Sequence, residues 1–377
     1  MSLQDVLIIG AGAAGSSAAF HLAQAGKKVT LLEKNSKSSP RACGGGMASS
    51  VQTFFPFDLK PVVEEVIREV EFTWHMQDKV IADISGSEPF WIANRANLDE
   101  YLIDKAINSG AEILRSFKVS KLKRSQQTWR VCSEDGRQIE AKSIIIADGS
   151  NSPWPKIFKL GPRNQHHAST LSIRLKGRGN LKEGRTRFEF GLVHHGFAWA
   201  LPTHEGINLG IGTFLGENSK MDGDYLLQQL LPTLGFDSNA GERRKATLRV
   251  WNGHSNLHGD GILAIGDAAS LCDPFLAEGI RPALLSGYEA ASTLNHWLAG
   301  EIKDLSPYSK AMSNKWGDSM AWGKRISQVF YRFPRLGYQL GIKRPTAPER
   351  IAQILSGQMG YGDIAERVIK RLLWQRH

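Results

Sequence analysis

Val6-Leu7-Ile8-Ile9 is an uninterrupted apolar run, too short for a helix and closed by Gly10, which predicts a buried strand. Residues 13–25 are small and mostly apolar and predict a helix, with Gly26 placed to stop it. A second strand follows over residues 28–32. Residues 60–70 read as helical, and residues 71–93 read as strands turning at Asp78 and Gly86. After Arg95, apolar Leu98, Leu102, Ala106 and Ile107 recur at helical spacing until Gly110. Residues 111–114 are strand-like. Alternation over 118–124, 129–133 and 138–141 predicts an antiparallel meander, with Asp135-Gly136 as a hairpin turn. Residues 143–147 form another short apolar run.

From residue 168 onward the period changes to that of strands, at 168–175, 186–191, 197–201, 207–214 and 247–251, interrupted by an amphipathic helix at 224–234. A strand at 261–265 then precedes a helix at 280–298. The stripe of that helix is Ile280, Ala283, Leu284, Gly287, Ala291, Leu294 and Leu298, and Gly300 ends it. The remainder is helical with glycine and proline breaks. The fold class is α/β: a Rossmann-like nucleotide-binding domain with an inserted antiparallel β-sheet substrate domain and a helical C-terminal region. The nucleotide domain is expected over 1–70, 95–165 and 256–300, the inserted sheet over 71–94 and 166–255, and the helical region over 301–377.

Composition narrows the class. The 377 residues are 41% hydrophobic and 22% charged, ordinary for a globular chain. Cys43, Cys132 and Cys272 lack any paired spacing, which argues against a disulfide framework or a zinc site and suits a reducing compartment. Three thiols cannot supply a four-cysteine iron–sulfur cluster. The apolar start lacks a basic leader and is broken by glycines, and no later run is clean enough to span a bilayer. The expected location is the cytoplasm. A net charge of +10 favours anionic partners. The charge is spread out and carries no nucleic-acid motif. His254, His258, His194 and His195 lie in loop-like sequence without a third ligand, so no metal is expected.

Two glycine motifs carry the chemistry. Gly10-x-Gly12-x-x-Gly15 lies between strand and helix, with Glu33 ending the next strand. Gly10 permits the tight turn, Gly12 lets backbone approach a pyrophosphate, and Gly15 lets helix and strand touch. Glu33 suits ribose hydroxyls. This fingerprint alone leaves NAD and FAD open. Gly266-Asp267 ends the strand at 261–265, and Pro274 and Ala277-Glu278-Gly279-Ile280 open the long helix. A carboxylate and the free N–H groups of a helix start thus meet at one spot. Asp148-Gly149 ends a third buried strand. Cys43-Gly44-Gly45-Gly46 is a loop able to press backbone against a ligand.

Together with Arg95, these motifs resemble the FAD-binding set of aromatic-hydroxylase-like flavoproteins. Within that class the chain is similar to the geranylgeranyl reductase family. Cys43-Gly44-Gly45-Gly46, Gly266-Asp267-Ala268-Ala269 and Phe197-Ala198-Trp199-Ala200-Leu201-Pro202 carry the likeness, the last corresponding to the family's Tyr-x-Trp-x-Phe-Pro with Phe197 and Leu201 in place of its Tyr and Phe. Ala277 stands where the family usually has Gly. The resemblance implies FAD, held by Gly10, Gly12, Ala13, Ala14, Gly15, Glu33, Lys34, Arg41, Ala42, Cys43, Gly44, Gly45, Arg95, Val119, Asp148, Gly149, Gly266, Asp267, Ala268, Pro274, Gly279 and Ile280.

The resemblance further implies reduction of isolated prenyl double bonds by hydride from reduced flavin plus a proton. Positive charge then develops on a tertiary carbon, which favours a dry site lined by aromatic faces. Phe188, Phe190, Phe197 and Trp199 are the candidates, because strand alternation puts each pair on one face. Cys43 is the candidate catalytic residue, beside the flavin as proton donor or redox partner, and a Cys43–Cys272 pair is conceivable on the same likeness. The expected partners are a prenylated small molecule or lipid, NADPH or an acidic ferredoxin as electron donor, and an anionic membrane surface, with no nucleic acid. A flavin monooxygenase acting on a hydrophobic substrate, or a non-catalytic flavin or isoprenoid binder, is the alternative.

Overall fold

The computed structural model describes residues 3–38, 42–84, 89–214, 222–344 and 346–366. In chain order, β1 (Gln4–Ile9), α1 (Ala13–Gln24) and β2 (Val29–Leu32) form the first unit. Next come β3 (Gly46–Ala48), β4 (Val63–Ile67), β5 (Glu69–Trp74), β6 (Gln77–Asp83), β7 (Phe90–Ala93) and α2 (Arg95–Asn108). They are followed by β8 (Glu112–Leu114), β9 (Val119–Ser125), β10 (Thr128–Ser133), β11 (Gln138–Ile146) and the single turn α3 (Trp154–Ile157). The inserted part holds β12 (His166–Lys176), β13 (Arg185–Phe190), β14 (Gly196–Pro202), β15 (Gly206–Thr213), α4 (Gly223–Thr233) and β16 (Arg244–Val250). The chain returns through β17 (His258–Gly259) and β18 (Ile262–Ala264) to α5 (Ile280–Leu298). It then runs into α6 (Ser306–Met312), α7 (Asp318–Arg332), α8 (Pro334–Gly341) and α9 (Ala347–Leu355).

The first sheet has the order β17-β18-β11-β1-β2-β8, with β10 and β9 branching from β11. β1 pairs in parallel with β2 and β11, and β11 pairs in parallel with β18. Ile9 lies opposite both Leu32 and Ile146, and Ile146 lies opposite Ala264. All four strands therefore end together, and the residues just past them share one edge. Their side chains are buried on both faces, which explains the unbroken apolar runs.

The second sheet has the order β16-β12-β15-β14-β13-β5-β6. It is antiparallel except for the β13–β5 pairing, which is parallel. Alternation along β14 divides its residues between two layers. Phe197, Trp199 and Leu201 join the main core, while Ala198 and Ala200 join a second core with Leu227, Leu230 and Leu231 of α4. Within the stretch 71–94, β5 and β6 join this sheet as expected. β7 instead pairs with β3 and β4 in a separate three-stranded sheet.

One expectation is corrected. Residues 60–70 are not a helix but a single 3-10 turn at Lys60–Val62 followed by β4 and the start of β5. Val62, Val63, Val66 and Ile67 are β-branched, and strand pairing with β7 outweighs the weak helical pattern. Residues 138–146 also form one strand rather than two, with the meander hairpin at its start.

The α1 and α5 helices are in direct contact. A Cβ placed on Gly287 would lie 2.5 Å from the Ala14 carbonyl oxygen and 2.8 Å from Ser17 Cβ. Ser17 Oγ donates to the Leu284 carbonyl across the same contact at 3.0 Å. Gly287→Ala should force the helices apart. The expected cost is about 1–3 kcal/mol, read as a lower urea midpoint with an unchanged slope. An unchanged midpoint would show that the contact is dispensable.

Candidate flavin site

The shared sheet edge collects four turns. Gly10 follows β1 with φ of +100°, and a Cβ there would meet the Ala147 carbonyl oxygen at 2.5 Å. Gly15 is equally confined, since its Cβ would lie 2.0 Å from the Gly10 carbonyl oxygen. Gly12 is the N-cap of α1 and no side chain caps that helix end, so Ala13, Ala14 and Gly15 open an anion-facing helix start. Glu33 follows β2 and is buried. Its Oε2 accepts from the Ala11 N–H at 3.1 Å and its Oε1 from the Asn35 N–H at 3.0 Å. Exposed Lys34 lies beside it. The Phe117 N–H donates to the Glu33 carbonyl at 2.8 Å, and Val119 begins the adjoining β9.

Asp148 and Gly149 follow β11. Burial pushes the Asp148 carboxyl up, with Arg249 and Lys34 pulling the other way, and its Oδ1 is buried without a partner. Gly149 has φ of +87° and open space where a Cβ would point. Gly266, Asp267 and Ala268 follow β18. The Gly266 N–H donates to Ser286 Oγ of α5 at 3.0 Å, and a Cβ on Gly266 would lie 2.9 Å from Ala14 Cβ. Asp267 Oδ1 faces Gly279, 3.7 Å from the position of its Cβ, next to Ile280 at the uncapped start of α5. Pro274 lies in the loop between them. The two helix starts and the two acids therefore surround one place.

The cysteine loop comes to the same region through β3 and β7. The Ala93 N–H donates to the Gly45 carbonyl at 2.9 Å, and Gly45 has φ of +80°, with the Ala93 oxygen 2.1 Å from where a Cβ would stand. That pairing sets Arg95, two residues past β7, beside the loop. Arg95 Nη1 lies 3.8 Å from Cys43 Sγ, and Nη2 pairs with Asp99 at 3.2 Å. Burial disfavours the Arg95 charge, but Asp99 and the Cys43 sulfur outweigh it and hold the guanidinium cationic. Ala42 is buried; Arg41 lies outside the described residues. Cys43, Cys132 and Cys272 are free thiols, and Cys132 sits apart in β10. Burial raises the Cys272 thiol well above its ordinary value, with Asp267, Asp273 and Cys43 adding to the effect.

Several side chains in this region carried no sequence signal. Arg249 of β16 is buried and bonds the carbonyls of Ala268 and Ser152, tying the Gly266 turn to the Asp148 turn. Alternation between Leu248 and Val250 reads as a solvent-facing arginine. In the structure the Ser152 and Ala268 turns lie against that face of β16 and bury it. Asn208 accepts from Trp199 Nε1 at 3.0 Å and donates to the Cys43 carbonyl at 3.1 Å, joining the inserted sheet to the cysteine loop. Asp273 is buried in the loop before α5. It accepts from the N–H groups of Phe275 and Leu276 and from the Tyr361 hydroxyl at 2.7 Å. Ala277, in the glycine position of the resembled family, has φ of +57°. Glu278 is buried and pairs with Arg281 at 2.6 Å, while its Oε1 has no partner.

This donor set fits a flavin dinucleotide. It offers two uncapped helix starts for pyrophosphate and ring, Glu33 and Asp267 for sugar or ribityl hydroxyls, and an open left-handed turn at Gly149. It also leaves buried polar atoms on Asp148, Arg95 and Arg249 unsatisfied by protein. Among the described residues no His, Cys, Asp and Glu cluster is arranged for a metal.

Two substitutions test this construction. Arg249→Met removes charge-assisted bonds worth about 1.5–3 kcal/mol. It should weaken FAD retention by about tenfold or more in fluorescence titration; unchanged retention would show that the clasp is idle. Burial pushes the Glu278 carboxyl up to about 7 against an ordinary 4.5, so the folded chain holds this proton more tightly than the unfolded one. That stability is complete below about pH 4.5 and is lost as pH rises through about 7. Melting temperature should fall across this window, and Glu278→Gln should flatten the fall. Parallel pH profiles for the two proteins would refute it.

Comparison with known proteins agrees with the geometry. Residues 4–182 match the family model for pyridine nucleotide-disulphide oxidoreductases. A digeranylgeranylglycerophospholipid reductase of Picrophilus torridus is 28% identical over 337 residues, covering 83% of this chain and 81% of its own. A geranylgeranyl bacteriochlorophyll reductase-like structure from Thermoplasma acidophilum superposes with a TM-score of 0.78 at 19% identity, covering 95% of this chain and 93% of its own. A variant of the halogenase PltM, solved with FAD, superposes with a TM-score of 0.69 at 17% identity, covering 88% of this chain and 76% of its own. The chain is similar to flavin-dependent oxidoreductases of this FAD-binding kind and, among them, to the geranylgeranyl reductase family, and its cofactor is FAD.

Proposed function

We propose that the protein reduces isolated carbon–carbon double bonds in a prenyl chain. The observation that carries this reading is a run of aromatic rings on the cysteine-loop side of the inserted sheet. Phe197 lies 5.6 Å from Phe188, 5.8 Å from Phe190, 6.1 Å from Trp199 and 5.1 Å from Phe214, between ring centroids. Phe190 continues the run to Phe330 and Tyr338 of the C-terminal helices at 5.3 and 6.2 Å. Trp199 is the member nearest Cys43, through Asn208 and through Gly44, whose Cβ would lie 3.4 Å from Trp199 Nε1. The name of the Picrophilus torridus relative points the same way.

Reduced FAD would supply hydride. An unactivated alkene accepts hydride at one carbon only as a proton reaches the other, and positive charge develops on the tertiary carbon. Aromatic ring faces stabilise that charge, and their burial keeps water from capturing it. In this reading Cys43 is the proton donor, with its Sγ 3.8 Å from the Arg95 guanidinium. Asn208 fixes the Trp199 ring plane relative to the cysteine loop. NADPH or a ferredoxin would restore the electrons.

An anaerobic experiment tests the reading. The flavin is bleached with dithionite and geranylgeranyl diphosphate is added. Return of the oxidised flavin band, with a product two or more hydrogens heavier by mass spectrometry, is expected. A flavin that stays reduced with diphosphate-, pigment- and lipid-linked prenyl chains, and reoxidises only with substrate-coupled oxygen uptake, would make the protein a monooxygenase. Trp199→Leu keeps apolar bulk but removes a ring face. It should slow turnover by about thirtyfold, the equivalent of one desolvated cation–π contact, while leaving FAD content unchanged.

A further inference from the structure

The C-terminal helices have a second face. Among the described residues, four of the large apolar side chains that stand in solvent fall within residues 329–340. Val329, Phe333, Leu336 and Leu340 are 65%, 59%, 56% and 48% exposed. Leu336 and Leu340, four residues apart, share one side of α8, Phe333 is the residue that joins α7 to α8, and Val329 lies in the last turn of α7. The opposite side is tied down. Tyr338 is fully buried and its hydroxyl donates to the carbonyls of Phe72 and Asp78 at 3.2 and 2.6 Å, while Phe330 and Tyr331 pack against Phe275. The exposure is therefore that of a fixed face on an anchored helix pair.

The segment that builds this face carries charge of one sign. No Asp or Glu occurs between Asp318 and Glu349, whereas Lys324, Arg325, Arg332, Arg335, Lys343 and Arg344 do. Lys343 is engaged by Asp78 at 2.6 Å, and Arg325 lies over the Trp322 ring at 4.7 Å. Arg332, Arg335 and Arg344 are exposed around the apolar trio. Large apolar residues in solvent, fringed mainly by cations, match the headgroup–acyl boundary of an anionic bilayer. Phosphates there meet the arginines, and the boundary accepts the apolar side chains to a depth of a few ångströms. A folded acidic protein would satisfy the charge but need not receive Phe333 and Leu340. Among the described residues no helix is long and apolar enough to cross a membrane.

We propose that the outer face of α7 and α8 docks this protein onto an anionic lipid surface, with Phe333, Leu336 and Leu340 inserted at the boundary and Arg332, Arg335 and Arg344 over lipid phosphates. The inner face of the same helices carries Phe330 and Tyr338 of the aromatic run, so docking sets that run one helix thickness from the bilayer. The inference needs neither turnover nor a prenyl substrate, and it stands or falls apart from the proposed reaction.

The test is flotation of the full-length FAD-loaded protein with vesicles of phosphatidylcholine alone or mixed equally with phosphatidylglycerol. At about 50 mM salt the protein should float with the anionic vesicles only, and about 500 mM salt should release much of it. Combined Phe333→Ser, Leu336→Ser and Leu340→Ser should cut the bound fraction about tenfold or more. Combined Arg332→Gln, Arg335→Gln and Arg344→Gln should remove the preference for anionic vesicles. All six positions are exposed, and retained flavin absorbance reports a folded variant. Failure of the wild-type protein to float with anionic vesicles at low salt, or equal flotation of the serine variant, overturns the proposal. So does a serine variant that converts a wild-type dimer to monomer in sedimentation without changing flotation, because the face would then join two copies of the chain.

Discussion

The contact between α1 and α5 is the constraint on which the rest of the structure depends. Two helices, separated by more than 250 residues of chain, each begin at the same sheet edge. They can do so only because Gly287 lacks a side chain where α1 passes and Gly266 lacks one against Ala14. The Ser17 hydroxyl pins the arrangement by donating to the Leu284 carbonyl, and the Ser286 hydroxyl ties the Gly266 turn to α5 by accepting from the Gly266 N–H. Two uncapped helix starts then face one volume, and their partial positive charges add where a dinucleotide carries its negative charge.

The inserted sheet and the C-terminal helices act on that edge from two sides. β16 delivers Arg249 between the Asp148 and Gly266 turns, and β14 and β15 deliver Trp199 and Asn208 to the cysteine loop. From the other side, Trp316 Nε1 bonds the Leu271 carbonyl at 2.8 Å, the Tyr331 hydroxyl bonds the Phe275 carbonyl at 2.8 Å, and Tyr361 reaches Asp273. The loop from Gly266 to Gly279 is irregular, with left-handed residues at Ser270 and Ala277. Its shape is imposed by these partners rather than by local preference, which is how a strained loop persists.

The C-terminal helices show the same division of labour between two faces. Phe330, Tyr331 and Tyr338 fill the inner side of α7 and α8, while Phe333, Leu336 and Leu340 occupy the outer side. A helix pair whose two faces are both apolar is stable in water only if one face is held firmly. Here the tyrosine hydroxyls supply that hold through backbone carbonyls.

Local chemistry was legible in the sequence wherever backbone geometry demands a particular residue. Only glycine fits at Gly10 and Gly15, an acid at the end of β2 is required to receive the Ala11 N–H, and parallel strands buried on both faces need unbroken apolar runs. Those requirements act over a few residues, so the Rossmann-like half, the strand–Gly-Asp turn and the helix at Ile280–Leu298 could be read directly. Residues 60–70 could not, because β-branched side chains and a helical repeat compete there until β7 supplies a partner strand. Arg249, Asn208 and the Glu278–Arg281 pair were equally silent. Arg249 and Asn208 owe their roles to groups far along the chain: an arginine in an alternating strand is buried here because the Ser152 and Ala268 turns lie against it. Sequence alone determined which segments could build a nucleotide site. The tertiary structure decided which polar side chains complete it, because burial and partner distance are properties of the folded neighbourhood and not of the chain.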